Sequence, residues 1–372
     1  MKVAFDSQIF FYQTTGGISV HFSKIISFLT KYKNIKIFIL IKKKEYKKCL
    51  KNDSFKQILK TKNINIIFYS NLLDLRNKIK IFEIDLIHAT YYDFLLKFTT
   101  KKIVYTFHDA APERFVLRYL RRLYIFKIFV RALCFVLADS INFVSNFSFS
   151  EYQYFYKFIL KLFPNKFYSV AGNFTSFDNP ILAENKISLK TNKVFSISFI
   201  GMRSFYKNFF SSIISIKMLE ERKKNISFSI NIIGGGKLSK KEKIILDNLN
   251  INYSHYLDIS NYQINEILLK TNLLIHPSFY EGFGITVLEA MSLKVPVLAV
   301  DIPAVREFAK NSIFYSKNYS YISIYNALKG FLKTPNRSIL KKIERAYSIS
   351  KKYSWDEVAK KHYFLYKKTL KD

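Results

Sequence analysis

A strand, a glycine turn and a helix are predicted by one continuous stretch, His276-Pro277-Ser278-Phe279-Tyr280-Glu281-Gly282-Phe283-Gly284-Ile285-Thr286-Val287-Leu288-Glu289-Ala290-Met291. Gly282 and Gly284 let the backbone approach a ligand closely, and the helix that begins near Ile285 offers N–H groups and partial positive charge. Glu281 and Glu289 flank this turn, and carboxylates suit sugar and ribose hydroxyls, which donate hydrogen bonds to them. A helix cap with a solvated glutamate is the alternative.

The same strand-then-helix pattern repeats over most of the 372 residues. Such alternation favours an α/β fold with parallel sheets that are covered on both faces. Helices are predicted at 18–30, at 115–138, from 338 onward and at 354–370. Strands are predicted in two series: 2–5, 36–41, 65–69, 86–89, 103–107 and 141–144, then 195–200, 228–233, 273–276, 297–300 and 312–315.

The pattern weakens between residues 172 and 193, where Gly172, Asn173 and Pro180 stand among polar residues and indicate a linker. We therefore expect two Rossmann-like domains, residues 1–175 and 185–351, and we expect helix 354–370 to pack back on the first. Two such domains are expected to face each other across a cleft, with ligands at the carboxyl ends of the strands.

The composition narrows the classes of partner. The formal net charge is +33, which attracts nucleic acid, anionic lipid or phosphorylated substrates; a genome-wide codon bias toward lysine is the alternative cause. Zinc-finger, RNA-recognition and OB signatures are absent from the sequence, so nucleic acid is not expected as a partner. Cys49 and Cys134 have no metal-site spacing and fit a reducing cytosol. The charged start and the lack of 18 consecutive apolar residues predict neither a signal peptide nor a membrane span.

Basic residues and glycines at strand ends predict phosphate binding. Arg203 and Lys207 follow the strand predicted at 195–200, and two cations beside a helix start can clamp a phosphate. Two glycine turns also suit phosphate, although neither is a G-x-G-x-x-G motif: Gly16-Gly17 in the stretch 14–19, and Gly234-Gly235-Gly236-Lys237. Plain turns and solvated cations are the alternatives at these positions.

A histidine and an aspartate end another predicted strand. His108 can donate to a substrate hydroxyl or phosphate, with Asp109 fixing its ring, although a structural histidine is the alternative. The chain contains no D-x-D motif, and we expect no metal and no other cofactor. Arg203, Lys207 and backbone N–H groups would then stabilise the charge of a leaving diphosphate.

In this order and spacing, the motifs resemble glycosyltransferase family 4, whose fold is GT-B. The stretches that carry the resemblance are Gly16-Gly17-Ile18-Ser19, His88-Ala89-Thr90-Tyr91-Tyr92-Asp93, Thr106-Phe107-His108-Asp109, Gly201-Met202-Arg203, Tyr206-Lys207-Asn208-Phe209, the block from Glu281 to Ala290, and Trp355. The resemblance implies a retaining, metal-independent transfer of a hexose, for example mannose, from a nucleotide-diphosphate sugar. The acceptor it implies is a lipid-linked glycan, lipopolysaccharide or capsule.

The resemblance also implies a role for each matching residue. Arg203 and Lys207 would hold the diphosphate, Glu289 the ribose and Glu281 the sugar, and His108 would face the reacting centre. The remaining implied donor-binding residues are Gly16, Gly17, Gly234, Gly282, Phe283, Gly284 and Ile285. The sequence departs from its relatives at Val20-His21, at Ala171-Gly172-Asn173 and at Arg306.

A basic segment predicts contact with anionic lipid, because cations interleaved with apolar residues suit a membrane surface. It comprises Arg114, Arg118, Arg121, Arg122, Lys127 and Arg131. A core helix with a wet basic stripe is the alternative. We expect a cytoplasmic protein at the inner face of a bacterial membrane. A catalytically inactive GT-B partner protein and a basic nucleic-acid-binding protein are the alternative functions.

Overall fold

The computed structural model describes residues 1–14, 16–119, 122–163, 166–174, 194–223 and 226–371. The chain divides into two compact units, and each is built on one parallel sheet. The first unit comprises Met1–Phe174 and Ser354–Asp372, and the second comprises Thr175–Tyr353. The predicted α/β class with two Rossmann-like sheets is confirmed. The predicted linker lies, from residue 175 to residue 193, outside the described residues.

The first unit contains a seven-stranded parallel sheet with the order β3-β2-β1-β4-β5-β6-β7. Its central strands are buried on both faces, as helices on each side of a parallel sheet require. The five central residues of K-I-F-I-L-I-K in β2, for example, are all buried, whereas the edge strand β3 is partly exposed. The strands are β1 Lys2–Asp6, β2 Lys36–Lys42, β3 Ile64–Tyr69, β4 Leu86–Ala89, β5 Lys102–Phe107, β6 Ser140–Phe143 and β7 Phe167–Val170.

Helices of the first unit connect these strands. They are α1 Gln8–Tyr12, α2 Gly17–Leu29, α3 Tyr46–Cys49, α4 Asp53–Lys60, α5 Leu72–Ile81, α6 Ala111–Arg114, α7 Arg122–Leu137, α8 Asn146–Phe155 and α9 Lys157–Leu162. Short 3-10 helices lie at Lys43–Glu45, Phe94–Phe98 and Val116–Tyr119.

The second unit contains a six-stranded parallel sheet with the order β10-β9-β8-β11-β12-β13. Its strands are β8 Val194–Ile200, β9 Ser227–Ile233, β10 Asn252–Tyr256, β11 Leu273–His276, β12 Val297–Val300 and β13 Phe314–Ser316. Its helices are α10 Phe209–Arg222, α11 Lys240–Asn248, α12 Asn261–Leu269, α13 Ile285–Ser292, α14 Pro303–Ala309, α15 Tyr321–Lys333 and α16 Asn336–Ser350, with a 3-10 helix at Phe205–Lys207.

The last helix, α17 (Trp355–Thr369), packs in the first unit against α2 and β7. Ser354 caps it by accepting a hydrogen bond from the Glu357 N–H at 3.1 Å. Trp355 and Tyr366 are buried in the core beside Phe5 and Phe22. The first unit therefore takes part of its core from the end of the chain.

Two predictions of secondary structure are wrong. The helix predicted over 115–138 is divided: a 3-10 helix covers Val116–Tyr119, and α7 covers Arg122–Leu137. Strands β7 and β10 were not predicted from the sequence. β10 reads N-Y-S-H-Y, and this polar edge strand lacks the apolar run by which its neighbours were found.

Four of the six histidines pack together in the first unit: His21, His88, His108 and His362. The ring centroids of His21 and His108 are 5.5 Å apart, and those of His88 and His362 are 5.6 Å apart. Burial lowers the pKa of all four, to about 3 for His108 and about 4 for His362. The cluster is therefore folded in its neutral form. Trp355 lies 5.8 Å from the His21 ring.

We expect the free energy of unfolding of the first unit to fall as the pH drops from about 6.5 toward 4. In this range the histidines bind protons in the unfolded chain but not in the folded one. Each histidine therefore lowers the free energy of unfolding by about 1.4 kcal/mol per pH unit. Burial raises the pKa of Asp6 to about 6. Below that pH, Asp6 is protonated in the folded chain, and this offsets the effect of one histidine on the free energy of unfolding. Because Trp355 is the only tryptophan, its fluorescence in urea titrations at several pH values reports this unit.

The variant His362→Gln should lower that slope by about 1.4 kcal/mol per pH unit, since one proton is no longer bound on unfolding. The matched control is His255→Gln in β10 of the second unit, which should leave the Trp355 transition unchanged. An unaltered slope in His362→Gln would contradict the neutral cluster.

Candidate functional site

Two loops meet at the carboxyl ends of the neighbouring strands β8 and β11. The first runs from Gly201 to Asn208, and the second follows His276. Backbone and side-chain hydrogen bonds join them: the Phe279 N–H donates to the Tyr206 carbonyl at 3.0 Å, and Asn208 Nδ2 donates to the Pro277 carbonyl at 3.2 Å. The chain thus places the Lys207 loop and the Glu281 loop side by side.

A partly buried ion pair lies between these loops. Lys207 Nζ is 2.7 and 2.9 Å from the two carboxylate oxygens of Glu281. His276 Nε2 is 3.3 Å from Glu281 Oε1, and the Glu281 side chain is 12% exposed. Burial alone would raise the pKa of Glu281, but the Lys207 ammonium and His276 outweigh it and hold the pKa well below its usual value. Glu281 is therefore an ionised acceptor of hydrogen bonds.

The glycine turn after Glu281 has the backbone geometry that the sequence predicts. Gly284 precedes α13 with φ of +99°, a conformation that glycine adopts without strain. A Cβ at this position would lie 2.9 Å from Val305 Cγ2. Phe283 is buried and stacks on Phe308 with ring centroids 5.0 Å apart. The turn therefore brings glycine backbone to the start of α13, where the first N–H groups of a helix have no acceptor within the helix.

Glu289 lies in the second turn of α13 and is 5% exposed. Thr286, one residue after the helix start at Ile285, places its hydroxyl 3.3 Å from His276 Nδ1. His276 thus links the helix to Glu281. Gly282 is buried beside Glu281.

Arg203 has a different environment from Lys207, which corrects the prediction of a paired clamp. Four of its five N–H donors are bonded within the second unit. Nε donates to Glu242 at 2.7 Å, and the two terminal nitrogens donate to the carbonyls of Gly234, Gly236 and Lys237, each at 3.0 Å. The Arg203 side chain is only 3% exposed.

The glycine turn at 234–236 is packed around Arg203. Gly234, Gly235 and Gly236 all have φ between 72° and 76°. A Cβ on Gly235 would lie 2.4 Å from the Gly201 carbonyl oxygen. Arg203 therefore holds the turn after β9 against the turn after β8, and in this conformation it is a structural residue of the site.

The glycines of the first unit lie at the start of α2, as predicted. Gly16 is the N-cap residue and Gly17 begins the helix. The Gln13 side chain covers this end: its Oε1 accepts from the Ser19 N–H at 3.4 Å, and a Cβ on Gly16 would lie 2.4 Å from it. Thr15 lies outside the described residues.

His108 packs in the histidine cluster of the first unit, and its Nε2 is buried without a hydrogen-bond partner among the described residues. Burial, Arg131 and His362 lower its pKa to about 3, so it offers a neutral imidazole. Asp109 does not support the ring as predicted, because its carboxylate accepts from the Ala111 N–H at 2.9 Å.

The basic segment is partly internal. Arg131 is 6% exposed and donates to Glu113 at 2.7 Å, so its predicted membrane contact is wrong. Arg114 forms a two-point pair with Glu151 at 2.8 and 2.5 Å. Arg118 and Lys127 are exposed. Arg121 and the side chain of Arg122 lie outside the described residues.

Two absences hold for the described part of the chain. No three His, Cys, Asp or Glu side chains come together there as a metal site. None of its helices has both the length and the apolar character needed to cross a membrane.

Sequence reasoning missed three contributors to the site. His276 ends a predicted strand without a predicted role, Asn208 is part of a motif only, and Glu242 is not among the predicted residues. In the structure, Asn208 has φ of 55° and joins the two loops. Glu242 caps α11 and also binds Arg203.

The fold defines a protein of two Rossmann-like units, and the loops after β8 and β11 form a candidate site in the second unit. Residues 182–353 match the family described as "Glycosyl transferases group 1". The crystal structure of Anabaena Alr3699/HepE in complex with UDP-glucose shares the fold, with a TM-score of 0.68, 15% identity and 97% of each chain covered. The chain is thus similar over its length to a GT-B protein.

Two curated relatives match shorter stretches. An uncharacterized glycosyltransferase of Methanocaldococcus jannaschii is 31% identical over 152 residues, which is 38% of this chain and 41% of that protein. The O-antigen chain mannosyltransferase RfbU of Salmonella typhimurium is 32% identical over 79 residues, 21% of this chain and 22% of that protein. The chain therefore spans less than half the length of each.

The variant Gly284→Ala should lower the free energy of unfolding of the second unit by about 1–3 kcal/mol, through its positive φ and the contact with Val305. The matched control is Gly330→Ala inside α15, where a Cβ meets nothing within 4 Å. This control should stabilise by about 0.5–1 kcal/mol, because alanine is the better helix former. Urea titration followed by circular dichroism measures both. Equal effects of the two substitutions would refute the constraint at Gly284.

Proposed function

We propose that the protein is a retaining, metal-independent glycosyltransferase of the family 4 type. It would transfer a hexose from a nucleotide-diphosphate sugar to a lipid-linked glycan, lipopolysaccharide or capsule acceptor. The observation that carries this proposal is the partly buried Lys207–Glu281 pair beside the glycine turn that precedes α13. The match of residues 182–353 to the glycosyl transferases group 1 supports it.

The groups of the proposed donor site have hydrogen-bonding capacity left for a ligand. The Lys207 ammonium has three protons, and its contacts with the two Glu281 oxygens leave one for a phosphate oxygen. Glu281 is ionised and accepts hydrogen bonds from hydroxyls of the donor sugar. Glu289 is assigned to the ribose. The N–H groups at Phe283, Gly284 and Ile285, with the partial positive charge of the α13 start, add to the phosphate site.

Charge builds on the diphosphate as the sugar leaves, and Lys207 and the start of α13 stabilise it. In the retaining reaction proposed here, the acceptor hydroxyl attacks on the face that the diphosphate leaves and gives its proton to the leaving phosphate. The carbon–oxygen bond to the acceptor forms as the bond to the diphosphate breaks. Arg203 contributes by holding the Gly234–Gly236 turn, and His108 contributes a neutral hydrogen-bonding group to the acceptor side.

Two relatives suggest which donors to test first. RfbU is by name a mannosyltransferase, and HepE was crystallised with UDP-glucose. We therefore propose a mannose or glucose nucleotide as donor, and no further cofactor.

The variant Lys207→Ala should weaken nucleotide-sugar binding by about 10–100-fold, because a phosphate loses a charged partner and Glu281 loses its counter-ion. Thermal shifts with GDP-mannose, UDP-glucose and free nucleotides measure binding, since a ligand at about 100 times its Kd stabilises by roughly 2.7 kcal/mol. Transfer to a lipid-extract acceptor, measured with a radiolabelled donor, tests turnover. Near-normal binding and turnover in Lys207→Ala would refute the assignment of Lys207 to the donor diphosphate.

The control variant is Lys217→Ala, which removes an equal charge from α10 of the same unit, where Lys217 pairs with Glu220. It should bind the donor normally. Addition of EDTA should leave turnover intact, and its complete loss with recovery on added Mg²⁺ or Mn²⁺ would refute the metal-free mechanism.

A catalytically inactive partner protein is the second candidate, and the environment of Arg203 favours it. An arginine with four bonded donors is not free to meet a diphosphate. Stable nucleotide binding without transfer or donor hydrolysis would select this candidate.

We further propose that the protein works at the cytoplasmic face of an anionic membrane. The exposed cations Arg118 and Lys127 lie in the same segment as large exposed side chains. Phe126 and Phe129 on α7 are 61% and 58% exposed, and Leu117 is 79% exposed. Apolar side chains among cations suit the interface between headgroups and acyl chains.

The double variant Phe126→Ser/Lys127→Glu should reduce binding to vesicles of anionic lipid, because it removes an inserted ring and reverses a charge. Co-sedimentation at low salt measures the bound fraction. The matched control is Lys243→Glu/Ile244→Ser on α11, an exposed lysine beside an exposed apolar residue in the second unit. Equal binding of the two double variants would argue against contact through α7.

A further inference from the structure

One face of the second unit's sheet is polar along three adjacent strands. Residues alternate in β8 (V-F-S-I-S-F-I), β9 (S-F-S-I-N-I-I) and β10 (N-Y-S-H-Y). Successive side chains of a strand point to opposite faces, and paired residues share a face. The register pairs Ser198 with Asn231, and Asn231 with Ser254. The polar face carries Ser196, Ser198, Ser229, Asn231, Ser254 and Tyr256.

The opposite face of the same strands is apolar and covered. Phe199 packs on Phe209 of α10 with ring centroids 4.9 Å apart, and Phe195 packs on Phe331 of α15 at 6.2 Å. Strands of parallel sheets usually read as apolar on both faces, because helices cover both. Part of the polar face is hydrogen-bonded within the unit, since Ser198 Oγ lies 2.6 Å from Thr271 Oγ1. At the carboxyl ends of β8 and β9 the same face carries Ile200 and Ile233.

Helix α12 crosses the polar face and leaves a cavity of about 380 Å³ between itself and the strands. Ser196, Asn231 and Tyr256 line it from the strands. Gln263, Glu266 and Lys270 line it from α12. Its volume falls in the range of roughly 300–1,000 Å³ that small-molecule sites occupy.

The lining is polar and already ordered. Asn231 Nδ2 donates to Ser196 Oγ at 3.0 Å and to Ser198 Oγ at 3.2 Å, which fixes the direction of its amide. Glu266 and Lys270 carry opposite charges, so the lining has no formal net charge in a chain of +33. Hydroxyl, amide and carboxylate groups beside the flat ring of Tyr256 suit a molecule with many hydroxyls and apolar C–H faces.

We infer that this cavity binds an uncharged sugar unit at a site separate from the Lys207–Glu281 pair. The lining residues come from β8, β9 and β10 and from α12 with the loop before it, and none comes from the loops that follow β8 or β11. The inference rests on the proposed function only for the source of the ligand. The cavity would hold one sugar unit of the growing glycan while the end of that glycan reacts at the donor site.

The experiment measures binding of neutral saccharides to the full chain by saturation-transfer NMR. Glucose, mannose, galactose and maltose are the probes. The double variant Gln263→Ala/Glu266→Ala should weaken binding about tenfold or more, because it removes two polar partners, one of them charged. Both residues are exposed on α12. Because Gln263 also closes the capping box of this helix with Ser260, circular dichroism must show that the double variant keeps its helix content. Tyr262→Ala is the matched control, since Tyr262 is 60% exposed on the same helix and does not line the cavity.

Each outcome decides the inference. Saccharide binding that is lost in Gln263→Ala/Glu266→Ala and kept in Tyr262→Ala and Lys207→Ala supports it. Binding that is displaced by UDP or GDP, or lost in Lys207→Ala, would assign the sugar to the donor site and overturn it. No binding of any probe, or tighter binding of glucose 6-phosphate than of glucose, would also overturn it. Loss of nucleotide binding with saccharide binding intact would overturn the proposed function alone.

Discussion

The ion pair between Lys207 and Glu281 is the constraint on which the site of the second unit depends. Removing two charges from water is costly, and the cost is offset only when the pair is close and further bonded. Here both carboxylate oxygens contact the ammonium, and His276 approaches one of them. If the loops after β8 and β11 moved apart, Lys207 and Glu281 would each lose the partner that neutralises its charge. The glycine turn and α13 follow from the loop that Glu281 anchors.

The sequence was sufficient for elements whose signal is local. Strands β4, β11 and β12 have the predicted bounds because each is a short apolar run between polar residues. Contacts between distant residues carry no such signal. Arg203 follows a predicted strand end, as the sequence indicates. Its partner Glu242 lies 39 residues later in the chain, so the hydrogen bond between them could not be predicted. Arg131 was misassigned for the same reason, since Glu113 meets it only after the segment folds back.

Departures from the family pattern are structurally connected in the first unit. His21 stands where relatives carry another residue, and its Nδ1 lies 3.3 Å from Asn173 Oδ1, a second departure. His362 and Trp355 of α17 pack on the His21 ring at 5.9 and 5.8 Å. Two of the departures, at His21 and Asn173, therefore meet in one contact cluster with the last helix.

The strands of the second unit's sheet differ in the polarity of their side chains, and this difference determines where ligands are expected. β11 (L-L-I-H) and β12 (V-L-A-V) are buried on both faces, whereas β8, β9 and β10 alternate polar and apolar residues. A strand buried on both faces can offer a ligand only its carboxyl end, which is where Glu281 follows β11. A strand with a polar face can also offer its side chains along its length, as Ser196 and Asn231 do under α12. Because β8 adjoins both halves, one strand leads to the charged loop at its end and contributes to the neutral cavity along its face.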